Sequence, residues 1–101
     1  MATATPTLFY RGAAATSSTT LYTVPSLTTS VLTDIVISNT SSDQQYVTIT
    51  IDSVNIVPTV PVSANQVLNL QFKTVMGATN IVAGYASSTG VKFHISGVEI
   101  A

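Results

Sequence analysis

Hydrophobic and polar positions alternate with a period of two along much of the chain, most clearly between residues 31 and 52. Val31, Thr33, Ile35 and Ile37 fall on one face of an extended segment there, and Val47, Ile49 and Ile51 on one face of a second. Asn39, Thr40, Ser41, Ser42 and Asp43 lie between them, short polar side chains that satisfy the backbone of a turn. The pattern predicts a β-hairpin whose loop has about five to seven residues.

The rest of the chain reads the same way. Leu21 to Val24 form a short strand ended by Pro25, which has no amide hydrogen to continue a ladder. Pro58 and Pro61 interrupt an apolar run after Asp52, so that segment is predicted to be an edge strand or an extended crossover, with Val57 and Val60 covering a core. Leu68, Leu70 and Phe72 alternate with Asn69, Gln71 and Lys73 in a half-buried strand. Residues 81–86 form another, with Ile81, Ala83 and Tyr85 inward, and Ser87 to Gly90 a tight turn in which Gly90 takes positive backbone angles. The last strand sets Val91, Phe93 and Ile95 against Lys92, His94 and Ser96. No segment holds a helical spacing with caps, and β-branched residues abound. The expected fold is all-β, an antiparallel β-sandwich of about seven or eight strands, a jelly roll being one such arrangement. Its core is expected to hold Ile35, Ile37, Val47, Ile49, Leu70, Phe72, Phe93 and Ile95.

Residues 1–19 break the pattern. They are rich in Ala, Thr and Ser around one apolar knot of Leu8, Phe9 and Tyr10. They read as an N-terminal arm ahead of a single β-sandwich domain, residues 20–101. The segment has two readings: a partly disordered tail in which the knot is one short strand, added to its own sheet, or an arm whose knot docks on a partner by burying three large side chains. Taken as partner-binding residues, the three predict that deleting residues 1–19 leaves a folded domain with weakened assembly.

Composition narrows the function. The 101 residues are 46% hydrophobic and 7% charged, with net charge −1, a balance that favours association over free dispersal. Arg11, Lys73 and Lys92 are isolated in sequence, so no nucleic-acid partner is expected. The first 15 residues lack the basic start and apolar stretch of a signal peptide, and no run is long enough to span a membrane, so synthesis in a cytoplasm is expected.

Candidate chemistry is sparse. The chain has no cysteine, which removes disulfides and thiolate metal sites. His94 is its one histidine, and Asp34, Asp43, Asp52 and Glu99 form no ligand spacing with it. Asp34 and Asp52 sit on the two hairpin strands, but two acids alone do not make the carboxylate pair of glycoside hydrolysis. No nucleophile elbow or phosphate loop occurs. Asn39, Thr40 and Ser41 match a glycosylation sequon that chance explains. Tyr10, Tyr22, Tyr46 and Tyr85 are scattered along the chain and read as core edges, although grouped on one surface they would form a platform for a glycan or a protein. No enzyme activity, metal or cofactor is expected.

The segments LYTVP at 21–25, DIVISNTSSDQQYVTITI at 34–51 and VKFHISGVEI at 91–100 give residues 20–100 a pattern that resembles small β-sandwich virion proteins of tailed bacteriophages. The resemblance implies a non-enzymatic structural protein of the virion, such as a capsid decoration or cement protein on the head. The alternative is a tail, neck or fibre part that binds a protein or glycan. It also implies a homo-oligomer, a trimer, whose partner is the major capsid protein or another virion protein.

Overall fold

The structure, a computed structural model, describes residues 3–101. Eight strands run in order: β1 (Ala4–Ala13), β2 (Thr19–Thr23), β3 (Thr29–Asn39), β4 (Gln45–Ile51), β5 (Val54–Val62), β6 (Val67–Met76), β7 (Ile81–Ala86) and β8 (Val91–Ile100). They form two four-stranded antiparallel sheets, β1-β8-β3-β6 (sheet 1) and β2-β7-β4-β5 (sheet 2). The expected all-β sandwich is therefore observed.

The strand order follows from one long antiparallel ribbon. Ala4 lies opposite Ile100, Thr23 opposite Ile81, Ile35 opposite Leu70 and Ile51 opposite Val54, so the pairs nest inside one another. The ribbon closes at Asp52 and Ser53, whose φ values of 48° and 68° make the two-residue turn with left-handed geometry at both positions that matches strand twist. Rolling the ribbon up sends alternate pairs to opposite sheets, and β3 on β8 and β4 on β7 then seal each sheet. Eight strands in this order make a jelly roll.

Leu32, Ile35 and Ile37 of β3, Val47 and Ile49 of β4, Val82 of β7, and Val91, Phe93 and Ile95 of β8 are fully enclosed between the sheets. Six of the eight expected core residues are among them. Leu70 and Phe72 pack against the core but stay half-buried, because β6 is an edge strand with a neighbour on one side only. β5, with Pro58 and Pro61, is the edge strand its prolines predict.

Four local expectations are corrected. β3 and β4 do not form a hairpin: they belong to opposite sheets, and the loop between them crosses the sandwich. Asn39, fully buried, holds that crossing by donating from Nδ2 to the carbonyls of Asp43 and Val62, each at 2.9 Å, which ties the loop to the end of β5. The phase of β3 also breaks. A bulge at Thr33 turns Leu32 inward and leaves Val31 on the outer face, although Ile35 and Ile37 keep the expected side. In β7 the inward residues are Val82, Gly84 and Ala86, not Ile81, Ala83 and Tyr85. That strand has no polar residue to set its phase, and a Cβ at Gly84 would lie 3.1 Å from the Thr48 carbonyl oxygen and 3.2 Å from Leu21 Cδ1, so only small side chains fit there. Gly90 has no positive φ; it allows close approach instead, since a Cβ there would lie 3.1 Å from Ser41 Cβ.

Of the segment read as an arm, residues 1–2 lie outside the described residues, and the greater part of the rest belongs to the sandwich. Residues 4–13 are β1, paired along β8. A bulge between Leu8 and Tyr10 turns Phe9 into the core, where its ring lies over Gly97. A Cβ at Gly97 would be 2.1 Å from the Val31 carbonyl oxygen and 2.7 Å from Phe9 Cε2. The Phe9 ring stacks on Tyr22 of the opposite sheet, with centroids 4.1 Å apart and planes 14° from parallel. The Tyr22 hydroxyl donates to Glu99 Oε2 on β8, and Ser30 Oγ on β3, fully buried, lies 2.9 Å from it. Burial, followed by the bond to Glu99, pushes the Tyr22 pKa up to about 12, against an opposing effect of Ser30.

Two predictions follow from this cluster. Phe9→Ala should cost about 3 to 5 kcal/mol in denaturant unfolding, and Gly97→Ala about 1 to 3 kcal/mol by overpacking. Deleting residues 1–19 should then destabilise the domain; a truncated chain as stable as the full one would show that β1 contributes nothing. Tyr22→Phe should lower stability at neutral pH by about 1 to 3 kcal/mol, since Ser30 and Glu99 lose their partner. Because the folded pKa is raised, the phenol's contribution is complete below the ordinary value of 10.0 and is lost as pH rises through about 12. The gap between parent and variant should therefore narrow over that window; a constant gap would refute the assignment.

Candidate interaction surfaces

The chemistry-bearing side chains are dispersed. Asp34 lies on the outer face of β3 in sheet 1, while Asp52 sits at the hairpin tip of sheet 2, so the two carboxylates do not form a pair. Asp52 is occupied structurally: Oδ1 accepts from the Ile81 amide at 2.8 Å and Oδ2 from Asn80 Nδ2 at 2.6 Å, pinning the hairpin tip to the β6–β7 loop. Glu99 receives the Tyr22 hydroxyl. His94 is exposed on β8 opposite Arg11 and Val36, with a cation rather than an acid across from it. Among the described residues no three His, Asp or Glu side chains are grouped to hold a metal ion. Asn39 of the sequon is buried with its amide bonded on both sides, since Oδ1 also accepts from the Ser41 amide at 3.0 Å. An oligosaccharyl group has no access to it.

What the roll does present is two unlike faces. Arg11, Lys73, Lys92 and His94 all lie on the outer face of sheet 1, with Asp34 among them. Cations that are isolated in sequence are gathered onto one sheet because β1, β6 and β8 lie side by side with β3. The strands of sheet 2 carry no charged residue; its outer face presents Tyr46, Thr48, Thr50, Ala83 and Tyr85, with Asp52 at one end lining a hollow beside Thr20, Thr50 and Ala83. Thr48 is opposite Tyr85, which makes Tyr46 the diagonal neighbour of Tyr85 on the adjacent strand. Tyr46 is 47% exposed and Tyr85 37%, so these two stand on the surface, whereas Tyr10 and Tyr22 pack on the core. Chain spacing hid the pair, since 39 positions in the numbering separate residues that the β4–β7 ladder makes neighbours.

Leu8, Phe9 and Tyr10 do not form one anchor. Leu8 points outward from β1 and is 50% exposed, Phe9 is buried, and Tyr10 packs on the core while its hydroxyl donates to the Ala13 carbonyl at 2.9 Å. Of the three, only Leu8 is free to meet another molecule. Around it runs an apolar row across the outer face of sheet 1, Pro6 opposite Val98, Val98 opposite Val31 and Val31 opposite Val75. A shallow hollow over Leu8, Arg11, Thr33 and Val98 adjoins it. Leu27, 94% exposed in the β2–β3 loop at a φ of 58°, is a further apolar projection.

The four sheet edges differ as well. β1 carries Pro6, β5 carries Pro58, Pro61 and irregular register, and β2 has five residues and a bulge. Each is a device that blunts an edge against pairing. β6 runs for ten residues without proline, and Val67 and Val75 near its ends are 64% and 69% exposed.

No family model and no curated protein matches the sequence. Among solved structures, a chain of the T13 IBDV viral particle, an icosahedral virus, superposes with a TM-score of 0.60 at 10% identity over 98% of this chain. The present chain spans 30% of the length of that one, and at such identity the likeness is one of fold. A family 35 carbohydrate binding module from Clostridium thermocellum aligns over 98% of this chain and 90% of its own, at 9% identity and a TM-score of 0.41. The chain is thus a small all-β protein whose fold is similar to part of a chain of that viral particle. No described helix is long and apolar enough to cross a membrane.

His94→Gln is expected to change stability by less than about 0.5 kcal/mol, as for other exposed positions. Stoichiometric zinc held by the parent and lost in the variant would overturn the structural role given to this residue.

Proposed function

We propose that this chain is a non-enzymatic structural protein of a virion, and more narrowly a capsid decoration or cement protein of a phage head. In this role it binds the major capsid protein or another virion protein in many copies, as a homo-oligomer for which the family resemblance implies a trimer. The observation that carries the reading is the eight-stranded jelly roll, matched over 98% of its length by a chain of an icosahedral particle. Chemistry agrees with it. The acids and the lone histidine serve the fold or stand apart, and the surface offers broad, weakly charged faces. Such faces suit contacts spread over several neighbours, where modest affinities multiply.

The test is location and number. Purified particles should contain the chain on the head surface in hundreds of copies, counted by quantitative mass spectrometry against the shell protein, an expectation set by multivalent coverage of a shell. A few copies at the tail, or none, would sink the decoration reading.

One observation favours a second reading, that of a tail, neck or fibre module binding a glycan. Tyr46 and Tyr85 are exposed side by side on the outer face of sheet 2, with Gln44 Nε2 donating to the Tyr46 hydroxyl at 3.1 Å. Aromatic faces of this kind stack on sugar rings, with tyrosine hydroxyls available to sugar oxygens. Under that reading, glycan-array binding by the intact chain should fall by about tenfold or more in Tyr46→Ala and in Tyr85→Ala, each change removing roughly 1.4 kcal/mol. Absence of binding by the parent chain would dismiss it.

A further inference from the structure

We propose that β6 is an association edge through which two copies of this chain pair antiparallel about Gln71, joining their first sheets into one of eight strands. The pairing stands apart from the virion reading, since it rests on this edge alone.

The first ground is that β6 is a ten-residue sheet edge without proline, with Lys73 its one outward charge and its register shift against β3 falling opposite Thr33. Its ten residues pair with β3 on one side, and the other side presents a row of backbone donors and acceptors to a partner strand. The second ground is unfinished burial. Leu68, Leu70 and Phe72 point into the sandwich but remain half-buried, where inward residues of the central strands are fully enclosed. A strand laid along β6 would cover them.

The third ground identifies the occupant as a second copy. Alternation requires outward residues to face outward residues across a ladder, so the two-fold must pass through a residue position rather than between two. Centred on Gln71, Val67 faces Val75 of the second copy and Val75 faces its Val67, which covers both of the exposed valines. Lys73 then faces Asn69 of the second copy, and Leu70 faces its Phe72. A centre at Leu70 would set Val67 against a lysine, and one at Lys73 would oppose the two lysines to each other. A centre at Phe72 also keeps the lysines apart but sets Val75 against Asn69 and leaves Val67 without a partner residue in the strand, so Gln71 is the centre that both separates the lysines and pairs the exposed valines.

Cysteine cross-linking of the full chain tests the pairing and its register, without background because the chain has no cysteine. In Gln71→Cys the two introduced thiols face each other across the two-fold, and mild oxidation should give a disulfide-linked dimer. In Asn69→Cys each thiol faces Lys73 of the other copy and lies about 13 Å from its counterpart, four residues along the strand. That exceeds the limit of about 7 Å between Cα atoms for a disulfide, so the dimer yield should be about tenfold lower. Asn69→Cys with Lys73→Cys should restore it. Circular dichroism confirms that each variant keeps the parent's β spectrum before oxidation; a variant that does not is replaced by the other facing pair, Val67→Cys with Val75→Cys, which must link as Gln71→Cys does. No dimer from any facing pair, or equal yields from Gln71→Cys and Asn69→Cys, overturns the proposal.

Discussion

The open end of the roll is held by a ring occupying space that a side chain at residue 97 would otherwise fill. Gly97 leaves room between β1 and β3, the bulge in β1 turns Phe9 into it, and Tyr22 stacks on the far side of that ring from the opposite sheet. The two ends of the chain and both sheets therefore meet in one contact. Tyr22 then anchors the contact to Ser30 and Glu99, so a polar network with few alternatives lies beside the apolar core. Such a network is stabilising only while every member is satisfied. The packing around it leaves no buried side-chain nitrogen or oxygen unpartnered among the described residues.

Where the chain turns, polar side chains serve as fixed struts, one near each end of β4. Asn39 ties the β3–β4 crossing to β5, and Asp52 ties the β4–β5 tip to the loop before β7. Both residues belong to types that look like candidates for function, a glycosylation site and a catalytic acid. Their hydrogen-bonding capacity is instead spent on loops that must change sheet. A chain with 7% charged residues has few polar groups to spare, and those it has are placed where the roll turns.

With the interior and the turns accounted for, what remains for function is the outside: a face with all the lysines and arginine, a face with two tyrosines, and four edges of which β6 alone is both long and free of proline. These faces and this edge are the features on which the proposed structural role and the proposed pairing rest. The low charge favours both, because little electrostatic repulsion opposes the approach of further copies.

Much of the fold was legible in the residues. Alternation in 35–37, 47–51 and 91–95 identified strands and their buried faces, because a half-buried strand must present one apolar and one polar side. The paired prolines marked β5 as an edge, since proline cannot donate to a second neighbour. Alternation fails where one residue is inserted or where every residue is apolar. The bulges at Phe9 and Thr33 shift the phase by one, and residues 81–86 contain no polar side chain to set it. Whether β3 and β4 pair or part is equally invisible locally, because a polar loop serves a hairpin and a crossing alike, and the burial of Asn39 against β5 decides it. The apolar knot at 8–10 was recognisable as exceptional, but its direction was not: Gly97, nearly ninety positions away in the chain, made the space that drew Phe9 inward and left Leu8 outside. The tyrosine pair and the gathering of cations on sheet 1 depend on which strands lie side by side. Only the rolled-up ribbon determines that.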